Sequence, residues 1–85
     1  MSRLVEKIIA VVEITLGLPA QSLDHDAAQD MTEGWDSLKA MEVMLAIERE
    51  FNVTFSARQM MSLDSVRAMH AALLELDIQD TAQPR

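Results

Sequence analysis

Apolar residues return every three to four positions along most of this chain. Leu4, Ile8, Val11 and Val12 stand at i, i+4, i+7 and i+8, the stripe of an amphipathic helix, and Ile14 and Leu16 extend it. Ser2 offers an N-cap in front. Gly17 and Pro19 offer a C-cap and a stop behind. The pattern predicts a first helix over residues 3–16. The period then lapses. Residues 20–33 show no helical repeat, and a loop of that length is usually functional or disordered. Leu23, Met31 and Trp35 are the apolar points able to pin it to a core. From 37 to 51 the period resumes. Ala40, Val43, Ile47 and Phe51 form one stripe, and Leu38, Met41 and Leu45 form a second. Lys39, Glu42 and Arg49 occupy the narrow polar face. Two apolar stripes exceed what a small bundle core requires. Either both are buried, or the second is an exposed contact surface.

Asn52-Val53-Thr54-Phe55 is a short connector, with Phe55 expected to plug the core. Ser56 and Gln59 then have the spacing of a capping box, which opens a short helix over 57–61. Ser62 or Asp64 is the expected cap of a fourth helix, whose buried stripe is Val66, Met69, Leu73 and Leu76 and which ends near Asp77. Residues 78–85 carry Pro84 and no period, so they are expected to fray. No strand pattern or internal repeat is present. The fold class is all-α, a four-helix bundle of three main helices, a short third one and a long first loop.

Composition narrows what such a bundle does. Eighty-five residues make one domain. The chain has no cysteine, so it builds neither a disulfide nor a thiolate metal site. No apolar run reaches the roughly 18 residues of a membrane span. Arg3, Glu6, Lys7 and Glu13 interrupt the N-terminal apolar stretch at helical spacing, unlike a signal peptide. A cytoplasmic location is the expectation. The net charge of -7 opposes nucleic-acid binding and anionic membrane surfaces. It suits basic patches on protein partners, although solubility alone also explains it.

The chemistry concentrates at Glu33-Gly34-Trp35-Asp36-Ser37-Leu38. Glycine closes the loop, and Asp36 and Ser37 stand where the second helix begins. N–H groups of a first helical turn lack intrahelical partners and carry partial positive charge. A phosphate on the Ser37 oxygen would sit in that field. Ser37 is thus a candidate attachment point for a phosphate-linked group, or else an ordinary helix-terminal serine. It is a poor hydrolytic nucleophile, because no Gly-x-Ser-x-Gly elbow is present. His25 and His70 form no triad pattern, and two distant histidines make no zinc site. Asp24, Asp26 and Asp30 resemble the start of a calcium loop, but Gln29 and Trp35 stand where that loop needs glycine and glutamate. Turn chemistry is the simpler reading.

Asp36-Ser37-Leu38, with Trp35 before it and Glu42, Glu48 and Phe51 after it, resembles the core motif of acyl carrier proteins and related thiolation domains. The resemblance covers roughly residues 4–76. It implies an acyl-carrier-like bundle, with a carrier domain over 1–77 and a flexible tail over 78–85. It implies that Ser37 receives a covalent 4′-phosphopantetheine from coenzyme A, with Trp35, Asp36 and Leu38 flanking the site. The expected partners are a phosphopantetheinyl transferase and the enzymes that load and process acyl or aminoacyl thioesters. The protein itself would be no enzyme, hold no metal and be a monomer. Leu38, Met41, Glu42 and Glu48 match the family's partner-recognition positions.

Seven methionines also stand out. Methionine is flexible and suits surfaces that repack around apolar guests. Met41, Met44, Met60, Met61 and Met69 are candidates to line a cleft between helices 2, 3 and 4. The resemblance would make that an acyl cleft, and gap-filling in the core is the alternative. Lys39, Arg49, Arg58 and Gln59 depart from the acidic pattern of fatty-acid carriers. They point to a specialised lipid, polyketide or nonribosomal pathway. An excised domain of a larger synthase would read the same. The competing reading is an unmodified helical adaptor that binds a partner through the apolar and acidic face of helix 2.

Overall fold

The computed structural model describes residues 3–76 and 78. Four α-helices follow one another: α1 (Arg3–Leu16), α2 (Ser37–Phe51), α3 (Ala57–Ser62) and α4 (Val66–Glu75). A single 3-10 turn, Gln29–Met31, lies within the first loop. α1 packs against both α2 and α4. The all-α expectation holds. The Ser2 cap lies outside the described residues.

The helices end where backbone chemistry dictates. Gly17 takes the left-handed conformation at φ +74°, and Leu18 N–H reaches back to Glu13 O at 2.8 Å, closing α1 in a Schellman turn. α2 uses the same device with Asn52 at φ 56°, and Val53 N–H donates to Glu48 O at 3.0 Å. The Ser56–Gln59 capping box forms in both directions. The cap of α4 is Ser65, whose Oγ accepts from Ala68 N–H at 3.0 Å, and not Ser62 or Asp64. Ser62 donates its hydroxyl to Gln59 O inside α3, and the Asp64 backbone is held by the first loop. Leu76 lies just past α4 and is 38% exposed, so it is not part of the buried stripe. Ile78 does not fray: it is half-buried, and its N–H donates to Leu73 O. The rest of the expected tail lies outside the described residues.

The core is built from Leu4, Ile8 and Val12 of α1, Val43, Met44 and Ile47 of α2, and Val66, Met69 and Leu73 of α4. Phe55 plugs it, as its position in the connector suggests. Glu13 also lies inside, only 4% exposed. Its Oε2 accepts the Leu23 N–H at 2.9 Å, which meets the requirement that a buried carboxylate be hydrogen-bonded. That bond ties the start of the first loop to α1.

The loop is far from structureless. Asp24 Oδ1 accepts from Asp26 N–H, a self-contained Asx turn. Ala28 bridges antiparallel to Ser65: Gln29 N–H donates to Asp64 O at 2.8 Å and Val66 N–H to Ala27 O at 3.0 Å. Arg67 Nε donates to Asp26 Oδ1 at 2.7 Å. Leu23 is half-buried, and Ala27 and Trp35 are buried. Met31, the third expected pin, is 79% exposed. The adjacent Ala27 and the backbone bridge anchor that stretch instead.

Candidate functional site

The loop delivers the chain to α2 through a tight turn. Gly34 adopts φ +88°, a conformation that costs an L-residue about 1–2 kcal/mol. Trp35 N–H donates to Thr32 O, and the Trp35 indole is buried, 3% exposed. Its Nε1 finds no acceptor among the described residues. An unpaired buried donor costs about 1–3 kcal/mol, set against the large apolar area that the ring removes from water. The buried indole anchors the chain two residues before Ser37.

Asp36 is the N-cap of α2, in extended conformation at φ -99°, ψ -171°. Its Oδ1 accepts the Lys39 N–H at 2.9 Å, and its carbonyl accepts the Ala40 N–H at 2.8 Å. Ser37 is therefore the first helical residue, and it is exposed. One neighbour is buried at 35 and one is capping at 36, so the Ser37 hydroxyl stands at the positive end of α2 in a fixed frame. Lys39 is half-buried, and its Nζ pairs with Glu42 Oε1 at 3.2 Å.

Beside Ser37 lies an open groove of about 450 Å³. Met41 of α2, Met60 and Met61 of α3, and Leu63 and Asp64 after α3 line it. Five methionines were expected there, and the structure divides them. Met41, Met60 and Met61 line the groove, whereas Met44 and Met69 are 2% and 0% exposed and fill the core. Met44 sits on the buried stripe of α2 and Met69 on that of α4, so neither reaches the groove lining. Gln29 of the 3-10 turn and Asp64 also line it. Neither was expected at a groove from the sequence, because their backbones meet only through the bridge between distant segments.

The second stripe of α2 is exposed: Leu38 at 69%, Met41 at 60% and Leu45 at 50%. This decides against burial of both stripes. Glu42 shares this exposed region. Glu48 is held differently. It is half-buried, and its Oε2 accepts the Phe55 N–H at 2.7 Å, so this carboxylate closes the connector after α2 from within.

His25 lies next to Asp26 in the loop, and His70 lies half-buried on α4. Neither lines the groove beside Ser37. No group of three or more metal-ligating side chains occurs among the described residues. None of the described helices is long and apolar enough to cross a membrane.

Residues 6–73 match the family model described as "Phosphopantetheine attachment site". No curated protein matches the chain.

Proposed function

The chain belongs to the phosphopantetheine-attachment family, and from that premise we propose that Ser37 is the attachment residue and that the protein carries acyl or aminoacyl groups for a specialised biosynthetic pathway. Carrier domains of this family hold a covalent 4′-phosphopantetheine and work with a phosphopantetheinyl transferase and biosynthetic enzymes. The observation that supports Ser37 is its placement: an exposed hydroxyl on the first residue of a capped helix, where a phosphate is favoured. The residues fit the group. The hydroxyl is open to solvent, and the adjoining groove offers thioether and aliphatic walls to an apolar arm. The arm's terminal thiol supplies the thioester chemistry, which a chain without cysteine cannot provide.

The chain's own residues then orient and present. Asp36 fixes the first turn of α2, so that Ser37 keeps one position relative to Leu38 and Met41. Leu38, Met41 and Glu42 form an exposed strip that meets transferase and processing enzymes. Glu48 supports the end of that helix through Phe55. The protein has no turnover of its own and acts by raising effective concentration.

Intact-protein mass spectrometry after incubation with coenzyme A, magnesium and a broad-specificity transferase tests the assignment. One phosphopantetheine adds to the native chain and none adds to Ser37→Ala, while both give the same helical spectrum. Addition to Ser37→Ala, or none to the folded native chain with several transferases, overturns it. In the second case the exposed α2 strip is left as the surface of an adaptor.

A further inference from the structure

The methionines are sorted by exposure in a way that their use as mere filler does not require. Met41 and Met61 are 60% and 85% exposed and both line the groove that Ser37 also lines. Met44 and Met69 are sealed in the core. With no cysteine present, thioethers are the only sulfur in the chain. Methionine oxidation follows exposure, and a sulfoxide turns a flexible apolar side chain into a polar one that disrupts Met-rich surfaces.

We propose that Met41 and Met61 form a reversible oxidation site that controls docking at Ser37. This rests on the reading of Ser37 as the attachment residue. The oxidant is a hydroperoxide. A sulfur lone pair attacks the distal peroxide oxygen, the O–O bond breaks, and an S–O bond forms. Sulfur is oxidised by two electrons, and hydrogen peroxide leaves as water after proton transfer. A dithiol, through methionine sulfoxide reductase, returns the two electrons and is itself oxidised to a disulfide, with the oxygen released as water. Because the core sulfurs are shielded, oxidation of Met41 and Met61 leaves the bundle folded. What changes is the surface one helical turn from Ser37. An apolar wall becomes a pair of strong acceptors, which a partner must desolvate to dock.

The test uses the full chain before modification. Hydrogen peroxide is added in limited amount and removed with catalase, and peptide mass spectrometry locates the added oxygens. Met31, Met41 and Met61 oxidise before Met44 and Met69, and helical circular dichroism is retained. The transferase kcat/KM for loading Ser37 then falls by about tenfold, the scale of losing one or two central contacts, and recovers after treatment with reductases for both sulfoxide epimers. Each variant is judged by its ratio of treated to untreated rate. The ratio falls in Met31→Leu as in the native chain, and it stays at one when Met41→Leu and Met61→Leu are combined.

A native ratio of one with both sulfurs oxidised overturns the proposal. So does a loss that persists in the double variant. If the untreated chain takes no arm, the attachment reading fails instead. The groove is then read with an apolar fluorescent dye, anilinonaphthalene sulfonate. Weaker dye binding after oxidation supports the oxidation site. Unchanged or stronger binding overturns it.

Discussion

The Asp36 cap holds Ser37 in place, and its worth can be divided into two parts. Asp36→Ala removes the acceptor for the Lys39 N–H, 2.9 Å away, and also removes a negative charge at the helix N-terminus. Loss of the cap bond costs about 1 kcal/mol. Loss of the charge costs about 0.3–1 kcal/mol at an exposed position such as this one. Asp36→Asn keeps the acceptor and loses only the charge. For a domain of this size each kcal/mol lowers Tm by about 4–8 °C. Thermal unfolding followed by circular dichroism should therefore rank native above Asp36→Asn above Asp36→Ala. The Ala variant is expected about 5–16 °C below the native chain. Salt separates the parts. At 1 M the screening length is about 3 Å, so the gap between native and Asn closes while the gap between Asn and Ala persists. An Asn variant as unstable as the Ala variant would refute the assignment of a cap bond. So would an Asn–Ala gap that disappears in salt, since a backbone cap bond is not a screened charge effect.

Two further outcomes follow from side chains that tie distant segments together. Glu48→Ala leaves the half-buried Phe55 N–H without its acceptor, which should cost about 1–2 kcal/mol in urea unfolding, with the m-value unchanged; Glu48→Gln retains an acceptor and should lose less than half of that, and equal losses would contradict the hydrogen-bond role. The Arg67 hydrogen bond outweighs an opposing desolvation and, with lesser help from the Arg67 and His25 charges, holds the Asp26 carboxyl below the ordinary carboxylate range. A carboxyl depressed in the folded state contributes stability above its unfolded pKa and loses it as pH falls through the folded one, so the Tm difference between native and Arg67→Ala should be constant near neutrality and close as pH drops through about 4 and below; a difference that widens in acid would refute the pairing.

What could be read from the sequence was local. The Gly17 stop, the Ser56–Gln59 box and the Asp36 cap each depend on residues within five positions of one another, and all three form. The cap of α4 was harder, because Ser62, Asp64 and Ser65 are all able caps within four residues. The helical period cannot choose among them. The pairing of Ala28 with Ser65 chooses, and these two residues are 37 positions apart in the chain. Glu13 shows the same limit. A carboxylate on a helix reads as a solvent-facing interruption, yet it is buried because Leu23, ten residues on, brings an N–H to it. Met44 was within reach: Ala40, Met44, Ile47 and Phe51 are spaced by four, three and four, so it belongs to the buried face. The exposure of Leu38, Met41 and Leu45 was posed by the sequence but needed the packing to decide it.

That exposure is the feature the fold itself does not explain. A domain of this length buries only about 60% of its unfolded surface, so apolar side chains are scarce material for its core. A Leu or Met left in water forgoes about 1.5–3 kcal/mol relative to full burial. Yet α2 spends three such residues outward, on a helix whose opposite face is already filled by Val43, Met44 and Ile47. The inward face fixes the axis of α2, the Asp36 cap fixes its first turn, and the outward strip is thereby held at a constant offset from Ser37. The net charge of -7 keeps copies of the chain apart, although each displays an apolar strip. A partner with a basic rim and an apolar floor meets neither obstacle. On the proposed reading, such a strip suits transient contacts with the enzymes that a carrier visits in turn.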